Sequence, residues 1–186
     1  MKHHTYIDGP LGRMLLTSDG RALTGLYFVG QKHEAIPTGE RADEPRAAPF
    51  AQARAELAQY FAGERQRFEV PLAPAGTPFQ TRVWRALATI PCGTTVTYAA
   101  LAQSLSAPRS VRAVAAAVAR NPISVLIPCH RVIGSDGSLT GYAGGLERKR
   151  ALLILEDAAG PVAWEAEKRK FLARPAAARW VLNSAP

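Results

Sequence analysis

The sequence predicts an α+β protein: a small N-terminal domain of strands and one helix, followed by a mainly helical C-terminal domain with a helix-turn-helix. Three observations carry this. Short apolar runs separated by turn residues occupy the first 30 positions. Apolar residues fall at helical spacing from Thr77 onward. Between the two, Leu72-Ala73-Pro74-Ala75-Gly76 is punctuated by proline and glycine as a linker would be. The expected boundaries are residues 1–75, 76–157 and a C-terminal extension, 158–186.

Each element has a local reason. Tyr6 to Gly12 reads as a strand and turn; Met14–Thr17 and Leu23–Val29 read as strands, separated by the turn Ser18-Asp19-Gly20. Residues 30–49 hold three prolines and mixed charges, and read as a loop. Phe50 to Gly63 has helical spacing and stops at a glycine suited to a C-terminal cap. Thr77-Pro78 can open a helix in which Val83, Leu87 and Ile90 share a face, ended by Pro91-Cys92-Gly93. Tyr98, Leu101, Ala102 and Leu105 mark the next helix. After Ser106–Arg109, Ser110 is a candidate N-cap for a helix that runs to Arg120, where Asn121-Pro122 breaks it. Two short helices joined by so short a connection outline a helix-turn-helix. Val111, Val114, Ala115 and Val118 form the inward stripe of its second helix; Arg112, Ala113, Ala116 and Arg120 face outward. That face is either a surface built for helix propensity or one that lets a nucleic acid approach closely.

Composition narrows the function. The chain has 186 residues, 47% of them hydrophobic and 20% charged, which suits a globular fold. Its net charge of +8 favours a polyanionic partner. Seven basic side chains against two acidic ones between Arg109 and Arg150 place +5 of that charge in one segment. No run is long and apolar enough to span a membrane. Cys92 and Cys129 are the only cysteines, too few for a disulfide framework, and point to a reducing, cytoplasmic setting.

The reactive candidate follows the helix pair. The strand-like run Ile123–Ile127 delivers Pro128-Cys129-His130-Arg131. A nucleophilic thiol must become a thiolate, and neighbouring cations or an imidazole lower the cost of ionising it. On a strand, adjacent side chains oppose each other, so His130 would reach Cys129 through a bent backbone or a water. The alternative is that Cys129 is a small buried hydrophobe. Residues 134–145 hold five glycines around Tyr142, either a surface loop or a close approach for a ligand. In the final helix, Leu146 to Glu156, the carboxylate of Glu156 sits at the unfavourable end of the macrodipole. Orienting His130 would explain that, and so would a simple salt bridge.

Asn121-Pro122, Pro128-Cys129-His130-Arg131-Val132 and Gly141-Tyr142-Ala143-Gly144-Gly145 together resemble the O6-alkylguanine-DNA alkyltransferases. Gly76–Gln80, Ile90–Gly93 and Tyr98–Ala102 fit the same family; Ile7–Gly12 and Tyr60–Gly63 fit more loosely. The resemblance implies a ribonuclease H-like N-terminal domain and a winged-helix-like helix-turn-helix. It also implies direct-reversal repair: one irreversible transfer of an alkyl group from O6-alkylguanine, with O4-alkylthymine a second candidate, to Cys129 after base flipping. His130 is then the water-mediated base, Glu156 orients it, Asn121 ties the network, and Tyr98 donates to the leaving base. Arg112 is the finger that enters the stack, with Ser110, Ala113, Ala116 and Arg120 around it on DNA. Pro128, Tyr142, Ala143 and Gly144 wall the pocket, and Lys149 lines the nearby surface. No cofactor is implied. The partner is double-stranded DNA and the protein a monomer, with cooperative assembly on DNA left open.

The sequence departs from the family pattern at Ala115 and Ala116, where glycines are common, and at Ala143, where some members carry serine. Two cysteines leave no expectation of the zinc site that some relatives hold in the N-terminal domain. Two other classes compete. A lesion-binding module without transfer would lack the acceptor cysteine, and a cysteine hydrolase would leave the helix pair and Arg112 unexplained.

Overall fold

The computed structural model describes residues 2–41 and 49–157. The extension and its aromatic residues Trp164, Phe171 and Trp180 lie outside the described residues.

The N-terminal half is a four-stranded sheet with a helix against it. Strands β1 (His3–Gly9) and β2 (Gly12–Ser18) form an antiparallel hairpin in which Ile7 faces Met14. Gly12 closes it with φ of +109°, open to glycine and strained for other residues. Strand β3 (Leu23–Phe28) pairs antiparallel with β2. The 30–49 segment expected as loop contributes a two-residue strand, β4 (Glu40–Arg41), parallel to β1, and the sheet order is β3-β2-β1-β4. Two residues carry no periodicity, which is why this strand has no sequence signal.

Helix α1 (Phe50–Phe61) buries Phe50, Ala53, Leu57 and Tyr60. It stops as expected: Glu64 N–H donates to Gln59 O and Gly63 N–H to Tyr60 O, with Gly63 at φ +80°. This is a Schellman cap, and it fixes the last turn of α1 where Tyr60 projects.

Helix α2 (Pro78–Ala88) begins with a complete capping box between Thr77 and Gln80. Strand β5 (Val96–Thr97) precedes α3 (Tyr98–Ser104), and a 3-10 turn over Pro108–Ser110 leads into α4 (Val111–Ala119). Ser110 does not cap α4 with its side chain. Its backbone belongs to the 3-10 turn, at φ −105° and ψ 25°, rather than the extended conformation from which a hydroxyl reaches the first-turn amides. Val114, Ala117 and Val118 are the buried face of α4; Val111 and Ala115 are half-buried. Trp84 of α2 holds the helix by donating its indole N–H to Ala117 O at 2.9 Å.

Strand β6 (Val132–Ile133) pairs parallel with β5, and α5 (Leu146–Leu155) closes the fold. The halves share one core, in which Leu16, Phe28 and Leu57 join Trp84, Val114, Ile123 and Leu152. They also share backbone. The outer edge of β3 binds the linker, with Leu23 N–H donating to Pro71 O at 2.8 Å. The same edge binds the segment before the cysteine, with Leu26 N–H on Pro122 O and Ser124 N–H on Leu26 O, both at 2.9 Å. Among the described residues, no helix is long and apolar enough to cross a membrane.

The Trp84–Ala117 bond is buried, so its loss is felt in full. Trp84→Phe is expected to cost about 1–2 kcal/mol in urea unfolding, with helix α4 exchanging its amide protons faster.

Candidate active site

The expected strand at 123–127 is instead a tight turn. Ile123 makes its one bridge to Leu26, then the chain reverses through Val125 at φ +70°. A β-branched residue rarely adopts that conformation, and holding it costs on the order of 1–3 kcal/mol. A short apolar run reads alike as strand or buried turn, and its contacts with Leu26 and Asn121 make this one a turn.

Asn121 holds the turn. Its Oδ1 accepts from Ile123 N–H at 3.0 Å, and its Nδ2 donates to Ile127 O at 2.8 Å and Ile123 O at 3.3 Å. The same Nδ2 lies 3.1 Å from Cys129 Sγ. One buried amide therefore satisfies both ends of the turn and aims a donor at the sulfur, favouring its charged form.

Cys129, His130 and Arg131 lie on a 3-10 turn rather than at the end of a strand, and all three are buried. Consecutive side chains on such a turn point about a third of a rotation apart, so His130 and Arg131 can converge on one partner. That partner is Glu156, which follows the last turn of α5. His130 Nε2 meets its Oε1 at 2.9 Å. Arg131 grips both oxygens at 2.8 Å, through Nε to Oε2 and Nη2 to Oε1, and donates from Nη1 to Ile90 O. Tyr60 donates its hydroxyl to Oε1 at 2.7 Å. The helix-end carboxylate is thus neutralised by a buried guanidinium, which offsets the unfavourable macrodipole.

These contacts set the protonation states. Burial opposes ionisation of Glu156, but His130 and Arg131 outweigh it and hold its carboxyl well below the usual range. A carboxylate only accepts, so Nε2 of His130 carries the hydrogen and Nδ1 keeps its lone pair. Burial, against the pull of Glu156 and with Arg131 and Lys149 adding to it, depresses the His130 pKa and keeps the ring neutral. Its Nδ1 is buried without a hydrogen-bond partner among the described residues. Burial pushes the Cys129 thiol up, with Asn121 and Lys149 opposing. The cations that the sequence places nearby therefore do not make a resting thiolate, because desolvation outweighs them.

Lys149 is not on the surface. It is fully buried, its Nζ donating to Val132 O at 2.5 Å and Thr140 O at 2.6 Å. Burial lowers it to about 8, so at neutral pH most of its charge remains, within electrostatic reach of Cys129. Tyr98, at the start of α3, donates to Gly141 O at 3.1 Å; burial and the Cys129 charge push it up to about 12, leaving a neutral donor. Tyr142 is buried and also within reach of Cys129. Gly144 packs beside it: a Cβ there would meet the Tyr142 ring at 2.8 Å and Phe28 at 3.0 Å. Arg148 ties this loop to the N-terminal hairpin through Gly144 O and Leu11 O. Pro128 is buried and Ala143 half-buried. On α4, Arg112, Ala113, Ala116 and Arg120 are exposed and Ser110 half-buried.

Sequence reading missed two members of the network. Arg131 stood out only as a nearby charge, although its place beside His130 was a usable signal. Tyr60 lies 96 residues from its partner and gave none. Among the described residues, no group of three or more His, Cys, Asp or Glu could hold a metal ion.

The Glu156 shift has a sign in stability. Its folded pKa lies below the ordinary 4.5, so its contribution is complete above that value and is lost as pH falls below it. Glu156→Gln should flatten that acid limb in melting temperature against pH. At pH 7 the variant should lose about 3–5 kcal/mol, because Arg131 is left buried without its counter-charge.

Both halves of the chain are similar to known proteins. The family model for the ribonuclease-like domain of 6-O-methylguanine DNA methyltransferase matches residues 2–74, and that for its DNA binding domain matches residues 78–158. A methylated-DNA–protein-cysteine methyltransferase of Mycobacterium bovis is 47% identical over 161 residues, covering 87% of this chain and 96% of the relative. One from Haemophilus influenzae is 44% identical, covering 83% and 86%. Among solved structures, Mycobacterium tuberculosis OGT in complex with DNA superposes with a TM-score of 0.77 at 46% identity, covering 83% of this chain and 92% of that one. With both of its halves matched and relatives this similar along nearly their whole length, the chain belongs to the 6-O-methylguanine DNA methyltransferase family.

Proposed function

We propose that this protein repairs alkylated DNA directly, transferring the alkyl group from O6-alkylguanine in a duplex to Cys129. The observation that carries the reading is a buried thiol next in sequence to a histidine whose Nε2 is fixed by a carboxylate and whose Nδ1 has no partner among the described residues, in a chain whose helix α4 exposes an arginine.

The target atom is stacked inside the duplex, so the nucleotide must leave the helix, at a cost of a few kcal/mol that a damaged pair reduces. Helix α4 meets the DNA with small side chains, Ala113 and Ala116, and Arg112 fills the space of the extruded base. Ser110 and Arg120 contact phosphates on either side. The base enters between Tyr98 and the Tyr142–Gly144 loop, with Pro128 as floor.

Chemistry then needs a thiolate, alignment and a stabilised leaving group. The Cys129 proton passes through a water to His130 Nδ1, and Glu156 stabilises the imidazolium that results. Asn121 Nδ2 and the Lys149 charge favour the sulfur anion. A new S–C bond forms as the C–O6 bond breaks, and the electron pair stays on guanine O6. Tyr98 turns its hydroxyl from the Gly141 carbonyl to the base and offsets that charge. No metal or organic cofactor takes part in these steps. A thioether is a poor alkyl donor, so each molecule acts once.

The protein acts as a monomer in the cytoplasm, and O4-alkylthymine fits the same chemistry. The alternative of lesion recognition without transfer has against it the cysteine itself, buried among groups that favour its charged form.

Incubation with duplex DNA carrying one O6-methylguanine should add one methyl mass per chain, mapped to Cys129 and stopping there. Cys129→Ala should abolish the gain and keep DNA binding; a gain retained in that variant overturns the reading. Arg112→Ala should slow duplex repair about 10-fold or more while changing reaction with a free O6-alkylguanine base by less than about 2-fold. Equal losses on both substrates would remove Arg112 from base extrusion.

A further inference from the structure

Most of the groups on the Glu156 carboxylate come from its own half of the chain, but one does not. Tyr60, in the last turn of α1, reaches across the shared core to donate to Oε1. It is 2% exposed, and its ring is wedged between Phe61 and Phe68, with centroids 5.4 and 5.2 Å away. The Schellman cap at Gly63 fixes the turn that carries it. The hydroxyl is therefore held in place by packing and needs no help from Glu156 to stay there.

Oε1 serves three donors: Tyr60 at 2.7 Å, Arg131 Nη2 at 2.8 Å and His130 Nε2 at 2.9 Å. Oε2 is held by Arg131 Nε at 2.8 Å. Because Arg131 takes both oxygens, it sets the plane of the carboxylate without Tyr60. What Tyr60 changes is the charge that Oε1 has left for His130. An oxygen that divides its lone pairs among three donors is a weaker acceptor for each.

We propose that Tyr60 is a positioning residue by which the N-terminal half sets how strongly Glu156 draws on His130. The hydroxyl restrains the pair and keeps His130 from holding a proton too readily. The other titratable groups around the carboxylate are Cys92 on the loop after α2 and Tyr142 on the glycine loop, besides His130 and Arg131, while Lys149 on α5 acts on His130. Among the hydrogen bonds described above, the Tyr60 hydroxyl is the N-terminal half's own contact with Oε1. The consequence for repair rests on the reading of His130 as the base for Cys129; the restraint itself does not.

The test follows the ring carbon of His130 by NMR as pH is varied, in the full chain and without any alkyl transfer. Tyr60→Phe keeps the packing and removes the donor, so Oε1 pulls harder on Nε2–H and the charged ring is favoured. The His130 midpoint should rise by about half a pH unit, the size expected of one neutral donor withdrawn from a shared oxygen. Site-specific 3-fluorotyrosine at position 60, a more acidic phenol and a stronger donor, should move it the other way. In a Glu156→Gln background, Tyr60→Phe should leave the midpoint where it is. Midpoints that stay fixed in the first two variants, or move in the same direction, overturn the proposal. So does a shift that persists without the Glu156 carboxylate, since the hydroxyl would then act on the fold rather than through that group. Loss of alkyl transfer would not affect any of these readings, so a failure of the repair function and a failure of this inference are told apart.

Discussion

The carboxylate of Glu156 is where the fold and the chemistry meet. Its side chain is wholly buried, and so is that of His130. Burying such charges costs several kcal/mol unless every polar atom finds a partner. Here each does. Arg131 neutralises the carboxylate through two bonds and spends a third on Ile90 O, which ties the end of α2 into the same cluster. The groups come from α1, the loop after α2, the cysteine-bearing turn and the end of α5. None of these elements can shift without leaving an unpaired polar or charged group in the core. The cluster thus fixes the mutual position of the parts that the site needs, and it fixes the imidazole tautomer at the same time.

A second constraint acts on the turn that carries the thiol. The chain must leave α4, touch the β3 edge at Ile123 and come back to bring Cys129 Sγ to Asn121 Nδ2 within six residues. Only a sharp reversal does this, and Val125 bears the strain at φ +70°. Asn121 offsets it, because a primary amide has an acceptor and two donor hydrogens on a short stem. A carboxylate could not donate to Ile127 O and Cys129 Sγ, and a longer side chain would not fit the spacing. Structure and reactivity thus draw on one buried side chain.

Much of this was legible in the chain. The helix start at Thr77-Pro78, the glycine after α1 and the exposed face of α4 rest on interactions within a few residues, and the structure has them where the sequence implies. Cys129, His130 and Glu156 could be singled out because each is locally odd: a thiol beside an imidazole, a carboxylate at the wrong helix end. What could not be read depends on distant partners. The Ile123–Ile127 run is apolar whether it is a strand or a turn, and only its meeting with β3 and Asn121 decides. Lys149 looks like a surface residue until two carbonyls from Val132 and Thr140 enclose it. Tyr60 is one aromatic of a helix core until its hydroxyl meets a carboxylate from the other half.

The pKa pattern of the site answers a problem specific to a reagent that is used once. A free thiolate reacts with any electrophile that reaches it, and a molecule consumed by such an accident is lost. Burial keeps Cys129 protonated and covered, and burial keeps His130 neutral with its lone pair on Nδ1. On the proposed function, the resting pair is a weak nucleophile with an idle base next to it in the chain. It becomes strong when an alkylated base fills the pocket, displaces bulk water and offers the sulfur an electrophilic carbon in line, so that the charge formed on sulfur is passed to guanine within the same step. The donors that oppose burial at Cys129, Asn121 and Lys149, are fixed in the protein and need no reorganisation at that moment. Desolvation, which would be a defect in a thiol that must turn over many times, is therefore what lets this one wait for its substrate.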